Sequence, residues 1–440
     1  MNVNLFFQKA REAGISSCQL QIGTSTSTTI SVFHHEIDSY TIDNIQLISA
    51  SGIYDGKYGS TATEKMDNSS IDFLIKGIID SATVSERKDC IDIFPGSPKY
   101  KKRTFFSKEL KETPIEKKID LIKDIEKKLF EADREVSEVS EVIYSEAESF
   151  YRFYNSYGLK LSKKTNSFGI GASIVMKHGE EVKTSEDSFS GMNLNEFDET
   201  KFIQGIIEEC KKKFGGKSCK SGKYPVLLDR EVFSTLVGCF LSANNAIAVQ
   251  KGSSFLQGYE GKKVASKRLT IDEVPLKKGI SYTFFDGEGV ARENRRIVNH
   301  GVLLTHFYNR ETAKKANRET TGNASASLGK IGISYTNILV KPGRQTKEEI
   351  IKDIKEGIYI TDIDGLGTGL DESSGNFSCQ AEGFMIRDGK IAEPLDLITL
   401  SGNLMKVMSD IKKIDNNVKD WHWFSCSDAL IKSMSVGGEN

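Results

Sequence analysis

The chain has 440 residues, 28% of them charged and 38% hydrophobic. That length calls for two or three separately cored domains, and the composition excludes an intrinsically disordered chain. Lys and Arg number 60 against 61 Asp and Glu, a formal net charge of −1, which supplies no electrostatic footprint for DNA or an anionic membrane.

At the start, Leu5, Phe6 and Phe7 are followed at once by Gln8, Lys9 and Arg11. This is not the pattern of a signal peptide, and no segment approaches the about 18 to 20 apolar residues that span a bilayer. The expectation is a cytoplasmic chain. Residues 4–13 suit a short helix closed by Gly14. Strands are expected at Cys18 to Ile22, Thr28 to Phe33 and Thr41 to Ala50. Ile71, Leu74, Ile75, Ile78 and Ile79 recur at helical spacing. Residues 86–112 read as a linker rich in Lys, Pro and Ser, and its basic run Lys99, Lys101, Lys102, Arg103 reads as a solvated loop. Thr113-Pro114-Ile115-Glu116 predicts a capping box ahead of a helix with Ile115, Ile119, Ile122, Ile125 and Leu129 on one face.

Past residue 136 the period changes to two. Asn155 to Gly158 predicts a turn, and Gly169, Gly171 and Gly179 are expected to punctuate strands up to Phe189. A helix is expected from Glu196 to Phe214. A strand at Tyr224 to Leu228 then leads into a helix carrying Val232, Phe233, Leu236, Val237, Phe240 and Leu241. Short strands and glycine turns dominate the rest, with one further helix expected at Thr346 to Glu356. The fold class is therefore α+β: an N-terminal α+β domain (1–85), a linker (86–112), a middle domain (113–218) and a large β-rich C-terminal domain (222–440).

Familiar catalytic motifs are missing. The six histidines are 34, 35, 178, 300, 306 and 422. No pair stands at the i, i+4 spacing that aims two imidazoles at one zinc from a helix. His35-Glu36 begins like a zincin signature, but Ser39 and Tyr40 follow where a second histidine would be needed. His300 and His306 read as solvated or hydrogen-bonded strand residues. Gly365 to Gly369 lacks a phosphate-loop lysine and precedes Asp371 and Glu372. The seven cysteines are scattered, without a Cys-x-x-Cys pair, and read as free thiols. Trp421-His422-Trp423 reads as packing or an interface edge.

The second half carries an ordered series. Asp286-Gly287-Glu288-Gly289 is followed by Tyr308-Asn309-Arg310-Glu311-Thr312 and Thr320-Thr321-Gly322-Asn323-Ala324. Gly375-Asn376-Phe377-Ser378, Gly383-Phe384-Met385 and Gly402-Asn403-Leu404 come later. This order and spacing resemble the TldD/PmbA family over roughly residues 222–438. The resemblance implies a family that works in pairs. A catalytic type carries a His-Glu-x-x-x-His helix plus a cysteine, which bind zinc. A PmbA (TldE) type lacks that motif, and the two form a heterodimeric metallopeptidase acting on unfolded peptides and leader peptides.

Here the corresponding stretch, Leu227 to Ala243, contains no histidine, and none occurs between His178 and His300. Cys239 alone cannot replace two imidazoles and a general-base glutamate. Cys426 lies near the tail, where the catalytic type brings its cysteine. The expectation is a non-catalytic, TldE/PmbA-like subunit with no cofactor of its own. Zinc is expected on a TldD-like partner chain. Expected partners are that zinc-bearing subunit or a second copy, together with unfolded or extended peptides, and neither a membrane nor nucleic acid directly. The alternative is a homodimeric peptide-binding or scaffold protein without protease activity. A third reading, a regulator of DNA topology, is disfavoured by the neutral charge. Asp286, Gly287, Gly289, Arg310, Thr321, Gly322, Asn323, Phe377, Ser378, Gly402 and Asn403 are the candidate chamber or motif residues. Gly322 is expected in a left-handed or tightly turned conformation.

Overall fold

The computed structural model describes residues 1–85, 92–327 and 329–439. Cys90 and the first part of the expected linker, 86–91, lie outside the described residues. In the first half the elements are α1 (Val3–Glu12), β1 (Ser17–Phe33), β2 (Glu36–Tyr54), β3 (Lys57–Thr63), α2 (Ser70–Val84), α3 (Lys108–Glu112), α4 (Ile115–Ala132), β4 (Val136–Asn155), β5 (Lys160–His178), β6 (Glu181–Gly191) and α5 (Glu199–Lys212). The six strands form one antiparallel sheet in the order β3-β2-β1-β4-β5-β6.

This sheet crosses the expected boundary between N-terminal and middle domains. β1 pairs with β4 from Gln19↔Asn155 to Val32↔Val142. The helices still make two cores along it. α1 and α2 close one over Leu20, Ile22, Ile48 and Ala50. α4 and α5 close the other over Ile30, Val32, Tyr144 and Ile170.

Local differences from the sequence reading have physical causes. The two short strands expected at 18–22 and 28–33 are one strand, because the Ser/Thr-rich stretch between them is only half-buried and needs no apolar alternation. β5 runs straight through Gly169 and Gly171, whose missing side chains leave room for Ser145 and Ile143 on β4. The capping box at Thr113 does not form: Thr113 ends α3, and its hydroxyl donates backward to the Glu109 carbonyl at 2.8 Å. His34 and His35 both have positive φ and make the tight turn between β1 and β2, so the zincin-like His35-Glu36 is a hairpin corner. The His35 amide donates to the fully buried Glu126 of α4 at 2.8 Å. α5 starts at Glu199 rather than Glu196, capped by the Asp198 carboxylate.

The second half contains β7 (Gly222–Leu228), α6 (Arg230–Ser242), α7 (Ala246–Lys251), β8 (Ile271–Glu273), β9 (Arg295–Asn299), β10 (Val302–Leu303), α8 (Arg310–Lys315), β11 (Ala324–Ser327), β12 (Lys330–Ile333), β13 (Ile338–Val340), α9 (Lys347–Ile351), β14 (Glu356–Asp364), α10 (Leu366–Gly369), β15 (Asn376–Arg387), β16 (Lys390–Asn403), α11 (Leu404–Ser409), β17 (Ile411–Ile414), β18 (Lys419–Asp420), β19 (Phe424–Cys426) and β20 (Ala429–Gly437). One sheet has the order β16-β15-β14-β7-β20-β17, and a further β16–β20 pairing closes five of its strands into a ring. A second sheet has the order β10-β9-β8-β13-β19-β18. The apolar stripe of α6 packs into one core with residues of both sheets. α9 does begin at a capping box, Thr346 with Glu349, but it ends at Ile351 rather than Glu356, where β14 begins.

The irregular segment 92–107 ties the two halves together. Tyr100 donates to the Gly289 carbonyl at 2.7 Å, and the Ser97 hydroxyl accepts from the Ala291 amide at 2.9 Å. Phe153 and Leu161 of the first sheet share a core with Tyr282, Phe284 and Phe285. Among the described residues no helix is long and apolar enough to cross a membrane.

The shared sheet makes a fragment prediction. Residues 108–213 alone would bare the β4 edge that β1 covers, and an unpaired edge of that length drives aggregation. Residues 1–213 keep it paired. Circular dichroism and thermal melting of the two fragments should show cooperative unfolding for the longer one alone.

Candidate functional site

The motif residues fall into two groups built on different elements. In the first, Asp286 is buried, and its carboxylate accepts three backbone N–H groups, from Glu288 and Val290 at 2.9 Å each and Ala324 at 3.1 Å. Burial pushes the Asp286 carboxyl up, while Arg292 opposes the shift. The Gly287 carbonyl accepts from Gln21 of β1 at 2.9 Å. Gly289 has φ +83°, and a side chain there would meet the Phe153 ring. Arg310 donates to the Asp92 carbonyl at 2.7 Å and lies over the Phe94 ring. Thr321 accepts from the Tyr308 amide at 2.7 Å. The fully buried Asn323 donates to Glu273 at 2.7 Å and to the Ser334 carbonyl at 3.1 Å. Gly322 between them has φ +72°, the left-handed conformation that favours glycine. These side chains bind neighbouring segments of the fold to one another.

The second group sits on the β15–β16 ladder, where Phe377 is opposite Gly402 and Asn376 opposite Asn403. Ser378 and Ser401 hydroxyls are 2.9 Å apart. Asn403 caps α11 by accepting from Lys406 N at 3.2 Å. A side chain at Gly402 would meet the Phe377 ring.

An open groove of about 510 Å³ runs along the outer face of α6. α6 supplies Glu231, Ser234, Thr235 and Gly238 to it, and the facing wall includes Tyr335, Trp421 and Trp423. Asp229 caps the helix, its side chain accepting from Glu231 N at 2.9 Å. The Ser234 and Thr235 hydroxyls donate to the Glu231 carbonyl, at 2.8 and 3.0 Å. Tyr335 donates to the Gly238 carbonyl at 3.3 Å. Glu231 pairs with Lys419 at 2.6 Å, and the Lys419 ammonium lies 5.2 Å over the Trp421 ring. Trp423 is 56% exposed. Sequence reasoning read Trp421 and Trp423 as packing or an interface edge and missed Tyr335 and the hydroxyls, which carry no motif.

The residues of this face do not match the zinc-binding set of the catalytic type, which the resemblance places on a partner chain. The α6 face offers one carboxylate already paired with an ammonium, two hydroxyls and no imidazole. Cys239 is half-buried and Cys426 fully buried, and burial pushes both thiols up, away from the thiolate a metal needs. His422 reaches away to the Ser190 carbonyl at 2.9 Å, and His306 to Asn244 at 2.7 Å. Among the described residues no three His, Cys, Asp or Glu side chains form a group that could hold a metal ion.

Glu288 yields a pH prediction. Burial first, then the Asp286 charge, raises its carboxyl to about 7. A raised carboxyl contributes stability that is present below the unfolded value near 4.5 and lost as pH rises through about 7. Glu288→Gln keeps the acceptor for the Arg310 amide and removes the ionisation. The variant should gain about 3 kcal/mol over wild type between pH 4.5 and 8. Urea unfolding across that range checks it.

Two family models match the chain: the PmbA/TldA metallopeptidase central domain over residues 108–213 and the C-terminal domain over 221–438. A metalloprotease PmbA homolog of Buchnera aphidicola subsp. Acyrthosiphon pisum is 27% identical over 407 residues, 90% of this chain and 89% of the relative. Two crystal structures share the fold. A Thermotoga maritima protein described as a candidate modulator of a DNA gyrase superposes with TM-score 0.91 at 24% identity, covering 99% of each chain. TldE from Thermococcus kodakarensis gives 0.87 at 19%, again over 99% of both. With central and C-terminal domains both matched and the order of motifs along the second half, this chain belongs to the PmbA/TldD family.

Proposed function

We propose that this chain is the non-catalytic, TldE/PmbA-like half of a heterodimeric zinc metallopeptidase, holding an extended peptide while a TldD-like partner supplies the zinc and the hydrolysis. The observation that carries the reading is the outer face of α6. The helix follows the Val226-Leu227-Leu228 strand, the place to which the resemblance assigns the zinc helix of the catalytic type, yet it presents no imidazole and its carboxylate is held by Lys419. A metal-activated water needs ligands and a general base that this face lacks.

The groove suits an unfolded chain. The Ser234, Thr235 and Tyr335 hydroxyls are engaged on backbone carbonyls and that of Thr336 on the Asn337 side chain, so little of its polar surface demands a particular side chain. Trp421, Trp423 and Tyr335 offer flat area for apolar and aromatic residues of varied sequence. A net charge of −1 opposes direct binding to DNA.

The test is reconstitution with a relative carrying His-Glu-x-x-x-His. The isolated chain should hold no stoichiometric zinc after dialysis and should not cleave an unstructured peptide; the co-purified pair should do both. A tightly held zinc on the isolated chain, or a pair that never forms, overturns the reading. A self-dimer that binds peptide without hydrolysis is the scaffold outcome. Within the pair, Trp423→Ala should weaken peptide affinity about ten-fold while leaving the melting temperature near wild type, because the ring is largely exposed. Competition binding with a fluorescent peptide measures it.

A further inference from the structure

A second cleft, of about 500 Å³, lies between α7 and the end of α8 and shares no lining residue with the α6 groove. Ala246, Val249 and Ala316 form its apolar wall, and His306, Tyr308 and Glu260 bring polar groups to it. His306 is only 3% exposed. Its Nδ1 lies 2.7 Å from Asn244 Oδ1, and Asn244 Nδ2 donates to the Thr305 carbonyl at 3.1 Å. That second bond orients the amide with its oxygen toward the ring, so Nδ1 carries the proton and Nε2 keeps its lone pair. Nε2 has no partner among the described residues. Burial lowers the His306 pKa, which keeps the ring neutral.

Tyr308 donates to Glu260 Oε2 at 3.1 Å, and Arg318 Nε lies 3.2 Å from the same oxygen. Burial, then the Glu260 charge, raises Tyr308 to about 12, so it remains a phenol. Glu260 Oε1 is buried without a partner. Arg318, 53% exposed, pairs with this carboxylate and lines the cleft together with Lys315, whose ammonium is held by Glu311 at 2.6 Å. The groups left unsatisfied are therefore acceptors, a lone pair and a carboxylate oxygen, beside an apolar wall. With the Arg318 and Lys315 charges already held by Glu260 and Glu311, an anion would meet these two acceptors, whereas a group rich in N–H donors answers both.

We propose that this cleft binds a primary ammonium on a short apolar stem, the free amino end of a peptide, with His306 Nε2 accepting one N–H and Glu260 supplying the counter-charge. The choice of a peptide end rests on the peptide-handling reading above; the ammonium chemistry stands without it.

The experiment uses the full chain, without any partner, carrying ¹⁵N-labelled histidine. The His306 signals are identified by their loss in His306→Gln. Long-range proton–nitrogen spectra should report the Nδ1-protonated tautomer in the free chain. Titration with Leu-Gly-Gly should move the His306 Nε2 resonance, N-acetyl-Leu-Gly-Gly should not, and Glu260→Gln should weaken the response at least about ten-fold. A response to n-butylamine but not to Leu-Gly-Gly keeps the ammonium and overturns the peptide end. An Nε2-protonated tautomer, or equal response to the acetylated peptide, overturns the proposal. The wild-type arms decide even if Glu260→Gln fails to fold. Because no partner is present, a failed peptidase reconstitution does not bear on this outcome.

Discussion

The C-terminal half depends on one buried carboxylate. Asp428 is fully buried just before β20. Its Oδ1 accepts from the backbone and guanidinium nitrogens of Arg230, both at 3.1 Å, and its Oδ2 lies 3.0 Å from Lys347 Nζ. Tyr359 of β14 bridges the set: it donates to Asp229 at 2.7 Å and accepts from Lys347 at 2.9 Å. Strand β7, helices α6 and α9, and strands β14 and β20 thus meet at one charge network. A negative charge at the first turn of α6 also complements the helix dipole. Taking away the carboxylate would remove the direct partner of Arg230 and Lys347 and leave Asp229 and Asp415 as their remaining counter-charges. Burial, then the Asp428 charge, raises the neighbouring Asp229 carboxyl, the strain of packing two carboxylates together.

Fixing the start of α6 fixes its rotation. Val232, Phe233, Leu236, Val237, Phe240 and Leu241 must then face the core, and Glu231, Ser234, Thr235 and Gly238 must face the groove. The clamp thereby sets which α6 side chains reach the groove, among them Glu231, paired there with Lys419. The motif residues serve this scaffold. Asp286 and Asn323 satisfy backbone and carboxylate groups inside the fold, and Asn403 caps α11. An ordered series of motifs in the sequence therefore marks an architecture first. What an individual member does chemically depends on which side chains reach open surface.

Much of the helical structure was legible, because a one-sided helix writes its buried face at a regular spacing. α2, α4, α5 and α6 bury the stripes that periodicity picks out. The long strands were harder to read. β1 crosses Gly23 to Thr29 and β2 crosses Glu36 to Gln46 without a buried face to impose alternation. The joining of the first two domains into one sheet could not be read either, since the β1–β4 pairing spans over a hundred residues of chain and leaves no local mark. The conformation of Gly322 was legible because a Gly-Asn pair signals a turn, whereas Thr113 was misread because the hydroxyl had a nearer carbonyl behind it. His306 read as an ordinary strand residue. Its environment is set by Asn244 and Glu260, which are distant in sequence and carry no motif.

The two clefts differ in what they leave unsatisfied, and that difference bears on how a chain of this design could handle peptides of many sequences. Along α6 the polar groups are engaged within the protein and the exposed surface is aromatic, so contact there scales with area and discriminates weakly between side chains. Beside α7 the reverse holds: the wall is small and apolar, and the polar groups without partners are acceptors, so contact there depends on a charged donor. A peptide's side chains vary, but its amino end does not. A surface that reads side chains loosely and a separate cleft that reads a terminus strictly would together accept diverse sequences while still setting direction and register.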